Sequence, residues 1–261
     1  MEINLIGKKA LIGASSTGIG AGIARVLASC GASVTLASRN EEKLQRTCES
    51  LDASKGQRHQ YIIVDYNDHE AYKAQVDRYF EGNKVDILVN NSNGPKAGKI
   101  DEKNLADYQH AFELLFQNHC YTTSCVLPYM LASGYGRIIN VSSSTVKEPV
   151  SNLVLSNTVR TALMSWSKSL SADVAKDGVT VNSILTGLFD TERIQSLTDL
   201  DAQRLGISYG EALQQRLQQV PAGRLGKPEE YGYLVAFICS EYANYLTGTN
   251  IPLDGGMLKG F

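Results

Sequence analysis

The sequence predicts an α/β fold: one doubly wound parallel sheet of about seven strands with helices on both faces. Two observations predict it. Short apolar runs alternate with helix-period segments from end to end, which is the pattern of strands buried on both faces and joined by crossover helices. The 261 residues also contain no Pro/Gly/Ser-rich linker and no internal repeat, so residues 1–261 read as a single domain of ordinary size.

The elements follow in order. Ala10-Leu11-Ile12 is the first strand, and Ile19, Ile23, Val26 and Leu27 share one face of the helix after it. Val34-Thr35-Leu36 precedes a charged helix from about Glu41. Tyr61–Val64 and Val85–Val89 read as buried strands around a helix near 69–81. A long helix runs from about Leu105 towards Pro128, and Arg137–Val141 is the next strand. Val159, Leu163, Trp166, Leu170 and Val174 form a helical stripe, Val179–Ile184 a sixth strand, Tyr231–Ile238 the last helix and Ile251–Leu253 a short final strand. The segment 190–220 breaks this rhythm with polar helical stretches at 202–205 and 211–219. An excursion of that length inside a compact domain reads as a substrate lid.

Composition excludes several classes. With 25 basic and 27 acidic residues scattered along the chain, there is no basic stripe for nucleic acid. No apolar run reaches the roughly 20 residues of a membrane span, and the first residues lack the apolar core of a signal peptide, so the expectation is cytoplasmic. Five cysteines show no Cys-x-x-Cys pair and no histidine cluster, so no metal site is expected.

Gly13-Ala14-Ser15-Ser16-Thr17-Gly18-Ile19-Gly20 joins the first strand to its helix. Small residues there let the backbone approach a pyrophosphate, and the helix N-terminus supplies free N–H groups and positive potential. Gly13, Ser15, Ser16, Gly18 and Ile19 are therefore cofactor-site candidates. Ala37-Ser38-Arg39-Asn40 ends the second strand. An arginine here, with no acid beside it in sequence, favours a 2′-phosphate and hence NADP(H) over NAD(H).

With these motifs the chain resembles the short-chain dehydrogenase/reductase family, a Rossmann-like fold, in its β-ketoacyl-carrier-protein reductase branch. The family's Thr-Gly-x-x-x-Gly-x-Gly motif aligns with Gly13 on the threonine and Ala14 on the first glycine. The resemblance implies cofactor contacts at Asp65 and Tyr66 after strand three. It implies more at Asn90 and Asn91 of Asn90-Asn91-Ser92-Asn93, at Gly187 of Thr186-Gly187, and at Thr191. The stretch Gly223–Glu230 and the ending Leu253-Asp254-Gly255-Gly256 match the same branch. A homotetramer or homodimer and a small-molecule substrate are implied as well.

The family's proton-transfer set matches at one position of four. The resemblance places the catalytic serine at Ser143. Ser156 stands where the family has tyrosine, Arg160 where it has lysine, and Leu115 where it has asparagine. Arg160 can still hold ribose hydroxyls and place positive charge near a developing alkoxide, but a guanidinium of pKa above about 12 shuttles no proton. Serine is a far weaker acid than a phenol of pKa about 10. Lys147, four residues after Ser143, is the candidate replacement acid if burial lowers its pKa; otherwise it is a solvated lysine paired with Glu148. His119 and Asn118 lie one turn beyond Leu115 and are expected in the core or an interface. The leading expectation is an NADP(H)-dependent oxidoreductase acting on a small carbonyl or alcohol with rearranged acid/base residues. A non-redox dehydratase or isomerase, or a dinucleotide sensor without turnover, are the alternatives.

Overall fold

The computed structural model describes residues 2–260. Seven strands form one parallel sheet: β1 (Lys9–Gly13), β2 (Ser33–Ser38), β3 (Gln60–Ile63), β4 (Ile87–Asn90), β5 (Gly136–Val141), β6 (Val179–Thr186) and β7 (Asn250–Leu253). Their order across the sheet is β3-β2-β1-β4-β5-β6-β7. The chain starts in the middle, winds outward to β3, then crosses back over β1 to build the other half. That reversal between β1 and β4 opens a crevice at the strand C-termini, where open α/β sheets bind ligands.

Alternation along each strand feeds two cores. Ile12, Ile87, Val89 and Ile139 face one layer, with α1 (Gly18–Ser29) and α9 (Pro228–Cys239). Leu11, Leu88, Ile138 and Val181 face the other, with α3 (His69–Phe80), α5 (Asn118–Ser133) and α6 (Val154–Val174). A side-chain period of two on a sheet covered twice makes both faces apolar. α1 and α9 approach so closely that a Cβ on Gly22 would lie 2.4 Å from the Pro228 carbonyl. Only glycine permits that crossing.

Short polar caps set the helix starts. Asn40 accepts from the Lys43 N–H to begin α2 (Glu41–Glu49), Asp68 from Ala71 to begin α3, and Asn104 from Ala106 and Asp107 to begin α4 (Leu105–Phe112). Each satisfies a first-turn N–H that has no carbonyl partner within the helix.

Several expected boundaries shift. The fourth strand begins at Ile87 rather than Val85. The long helix after Leu105 is α4, a π turn at Glu113–Gln117, then α5, which runs through Pro128 to Ser133. The excursion after Asp190 is two helices, α7 (Glu192–Leu205) and α8 (Tyr209–Leu217). Thr191 caps α7 and the Ser208/Glu211 capping box starts α8, so helix begins ten residues before the predicted stretch at 202. All five cysteines are free. No helix among the described residues is long and apolar enough to cross a membrane.

Candidate active site

A cleft of about 750 Å³ runs along the C-terminal ends of β1, β4, β5 and β6. Its floor is the β1–α1 turn. Ala14 there holds φ +42° and is the one non-glycine among the described residues with positive φ. It holds this left-handed backbone against the steric cost of its own Cβ. Thr17 and Gly18 follow at the start of α1, and the Thr17 side chain makes no cap bond. The helix therefore presents first-turn N–H groups and a free hydroxyl to the cleft, a ready anion site.

The predicted residues of this turn divide. Gly18 and Ile19 line the cleft. Ser15 is fully buried instead, donating to Ile12 O at 2.7 Å and accepting from the Ala37 N–H at 3.0 Å. Ser16 sits 3.1 Å from the Ser38 hydroxyl, and its carbonyl accepts from Thr47. Both serines, expected at the cofactor, tie the turn to β2 and α2. Gly13 takes a hydrogen bond from the Asn91 amide at 3.0 Å, which fixes the β1 and β4 ends to each other.

Arg39 lines one end of the cleft and is half exposed. An acid does stand beside it: Asp65, at 3.8 Å. The parallel β2–β3 register, pairing Ser38 with Ile63, carries the two strand ends together, which local sequence could not show. Burial raises the Asp65 pKa, but hydrogen bonds from Asn67 and the charge of Arg39 outweigh it and hold the carboxyl below its ordinary value. A loose exposed pair of this kind is worth little, so the guanidinium stays available. Tyr66 is buried beneath the turn, and Asn67 rather than Asp65 reaches the cleft wall.

Arg160 lines the cleft near the end of β5. Its guanidinium donates to the Val141 carbonyl. It is 7% exposed, and burial pushes its pKa down to about 10 although Tyr231 opposes the shift. Asn91, Gly187 and Thr191, expected at the cofactor, also line the cleft. Asn90 does not; it donates to Thr123 at 3.1 Å and Asn140 at 2.9 Å within the core.

The expected acid/base residues are not gathered at the cleft wall. Ser143 caps the short 3₁₀ turn at Ser144–Val146, its hydroxyl 2.9 Å from that of Thr145. Ser156 is half-buried in the first turn of α6 and, like Ser143, is not among the cleft-lining residues. Lys147 is exposed, so the burial that its acid role requires is missing. Its expected partner Glu148 accepts instead from the Lys259 and Gly260 N–H groups. Leu115 is fully buried in the π turn. Asn118 and His119 are core residues, as expected; Asn118 holds His69 at 2.7 Å and the Tyr66 carbonyl at 2.9 Å.

Sequence reasoning missed Arg193. It follows Thr191 on α7, lines the cleft and donates to the Pro95 carbonyl at 3.4 Å. The neighbouring Glu192 pairs with Lys43 of α2 at 2.8 Å. The first turn of α7 thus bridges both banks, and Thr191 meets Gly18 closely enough that a Cβ there would lie 3.2 Å away. Only its position at the head of the excursion could have signalled this.

Comparison with known proteins agrees with this geometry. The family profile described as enoyl-(acyl carrier protein) reductase matches residues 13–258. The chain belongs to the short-chain dehydrogenase/reductase family. It falls in the β-ketoacyl-carrier-protein reductase-like branch of that family. It is 30% identical to a 3-oxoacyl-(acyl-carrier-protein) reductase of Aquifex aeolicus (strain VF5), covering 98% of this chain and 100% of the relative. Oxidoreductase UcpA of Salmonella typhimurium is 32% identical, covering 97% and 95% of the two chains. L-sorbose reductase from Gluconobacter frateurii, solved with NADPH and L-sorbose, superposes with a TM-score of 0.93 at 32% identity over 100% of both chains.

Proposed function

We propose that the protein is an NADP(H)-dependent oxidoreductase acting on a small carbonyl or alcohol through a non-standard proton-transfer set. One observation carries this reading: a single cleft is lined by Arg39, the α1 N-terminus, Thr191 and Arg160, so groups suited to a 2′-phosphate, a pyrophosphate and a ribose share one space. The neighbour solved with NADPH and L-sorbose supports the cofactor and suggests polyhydroxy ketones as first substrates.

The residues present fit the cofactor. Thr17, Gly18 and Ile19 offer the α1 N-terminus to a pyrophosphate. Arg39 offers a guanidinium fork to a 2′-phosphate. Arg160 offers donors to ribose hydroxyls and fixes positive charge where an alkoxide would develop. When bound, the nicotinamide supplies the hydride, and the protein supplies position and field. α7 and α8 act as the lid, with Arg193 and Glu192 drawing the walls together and excluding water.

The occupied Ser143 hydroxyl and the exposed Lys147 favour one other reading, a dinucleotide sensor without turnover. An assay of NADPH consumption against ketoses and β-keto esters separates the two. The oxidoreductase reading expects one alcohol formed per NADPH lost. Tight NADPH binding with no product on any substrate would favour the sensor, and turnover without net cofactor change a non-redox enzyme. A homo-oligomer is part of this reading, supported by Tyr233, Tyr242 and Tyr245 exposed on and after α9; a cytoplasmic location is proposed with it.

A further inference from the structure

The turn between β1 and α1 is supported from beneath by Tyr66, which follows the end of β3. Tyr66 is 6% exposed, and its ring packs on Tyr72 of α3 with centroids 4.9 Å apart. Its hydroxyl ends against Gly13. A Cβ at position 13 would lie 2.6 Å from the Tyr66 oxygen and 2.1 Å from the Asn91 carbonyl oxygen. Position 13 therefore has no room for a side chain, and the Tyr66 hydroxyl fills one side of that space. The Ala14 N–H donates to the same oxygen, and Ala14 is the residue with φ +42°.

The direction of each hydrogen bond behind this contact is set from the far end. The Asn118 carbonyl can only accept, so the Thr122 hydroxyl donates to it, at 3.0 Å. Thr122 then has lone pairs alone to offer Tyr72, 2.5 Å away, and Tyr72 donates. The Tyr72 oxygen is left to accept from the Tyr66 O–H. The Tyr66 oxygen is left to accept from Ala14. Each hydroxyl of the series gives one hydrogen bond and takes one. Burial above all holds the Tyr66 pKa well above the ordinary phenol value, so the proton it gives to Tyr72 is in place at neutral pH. The Asn118 side chain also donates to the Tyr66 carbonyl at 2.9 Å. α5 thus grips Tyr66 at its backbone directly and at its hydroxyl through Thr122 and Tyr72.

We propose that Tyr66 is a positioning residue for dinucleotide binding, whose hydroxyl holds Ala14 left-handed and so fixes the path of the turn into α1. Tyr66 is not among the cleft-lining residues, whereas Ala14, Thr17 and Gly18 are; it acts through the backbone of residue 14. Without the hydroxyl, nothing offsets the steric cost of the Ala14 Cβ, and the residue relaxes to negative φ. The first-turn N–H groups of α1 then lose their aim into the cleft. The effect on affinity rests on the dinucleotide reading of the cleft; the hold on Ala14 does not.

Tyr66→Phe removes the hydroxyl and keeps the ring on Tyr72. Diffraction from crystals of this variant should show Ala14 at negative φ, and Ala14 still left-handed overturns the proposal. Titration calorimetry with NADPH should show binding about 10-fold weaker than in the parent. Adding Ala14→Gly to Tyr66→Phe should return the affinity to within about two-fold of the parent, because glycine takes a left-handed φ with no Cβ to oppose it. Unchanged affinity in folded Tyr66→Phe protein overturns the proposal. So does a loss that Ala14→Gly fails to recover, which would trace to packing around Tyr72. A parent protein that binds no NADPH overturns the dinucleotide reading instead, and the diffraction arm still decides whether Tyr66 holds the turn.

Discussion

Ala14 shows how a single side chain records the constraint of its site. Its left-handed φ of +42° costs an L-residue about 1–2 kcal/mol relative to an easy conformation. Ala14→Gly should therefore stabilise the protein by about 1 kcal/mol, partly offset by glycine's larger unfolded-state entropy. A rise of about 2–4 °C in thermal midpoint is expected, and a fall would show that the strain is not felt. Arg160→Ala removes a buried cation from the cleft wall; NADPH affinity should weaken about 10–100-fold, measured by titration calorimetry. Arg39, Arg160, Asn91 and Thr191, all nominated by motif spacing, line the cleft. The same spacing nominated Ser15, Asn90 and Ser143, whose polar groups hydrogen-bond within the protein. Spacing assigns a residue to a position along the chain. It says nothing of the partner its side chain finds there.

Helices and strands were legible where periodicity is strong and obscure where one residue alters it. The π turn at Glu113–Gln117 inserts a wider loop of backbone into an otherwise continuous helix, and a 3.6-residue pattern cannot register that. α7 escaped the reading of residues 192–201 because its start depends on the Thr191 cap more than on an apolar stripe. α9 gives a direct electrostatic test. Glu230 completes its capping box and receives Arg224 at 2.7 Å through both oxygens. Hydrogen bonds from Arg224 and the Lys227 N–H, outweighing burial, push the Glu230 pKa down to about 2. A depressed carboxyl stabilises the fold above its unfolded pKa of about 4.3. That stabilisation is lost as pH falls from there through about 2. Because the pair is partly exposed, its worth is about 1 kcal/mol or less. Glu230→Gln should lower the thermal midpoint at pH 7, with the gap to the parent narrowing below about pH 4. A gap independent of pH would assign the effect to packing.

At the scale of the whole molecule, strand order decides where chemistry occurs. Winding outward to β3 and then back across β1 to β4 leaves the crevice between the two halves, and the glycine-rich turn, Arg160 and α7 all open onto it. The sheet was readable because its central strands carry apolar side chains on both faces. The Arg39–Asp65 approach was not, since it depends on β2–β3 register rather than on neighbouring residues. The reading of the site turns on whether Arg39 meets a phosphate. Titration calorimetry with NADPH and NADH, on the parent and on Arg39→Asp, measures this directly. The parent should bind NADPH at least about 10-fold more tightly than NADH, a difference of about 1.4 kcal/mol, and Arg39→Asp should erase or reverse that preference. Equal affinity of the parent for both dinucleotides, or binding of neither, would contradict it.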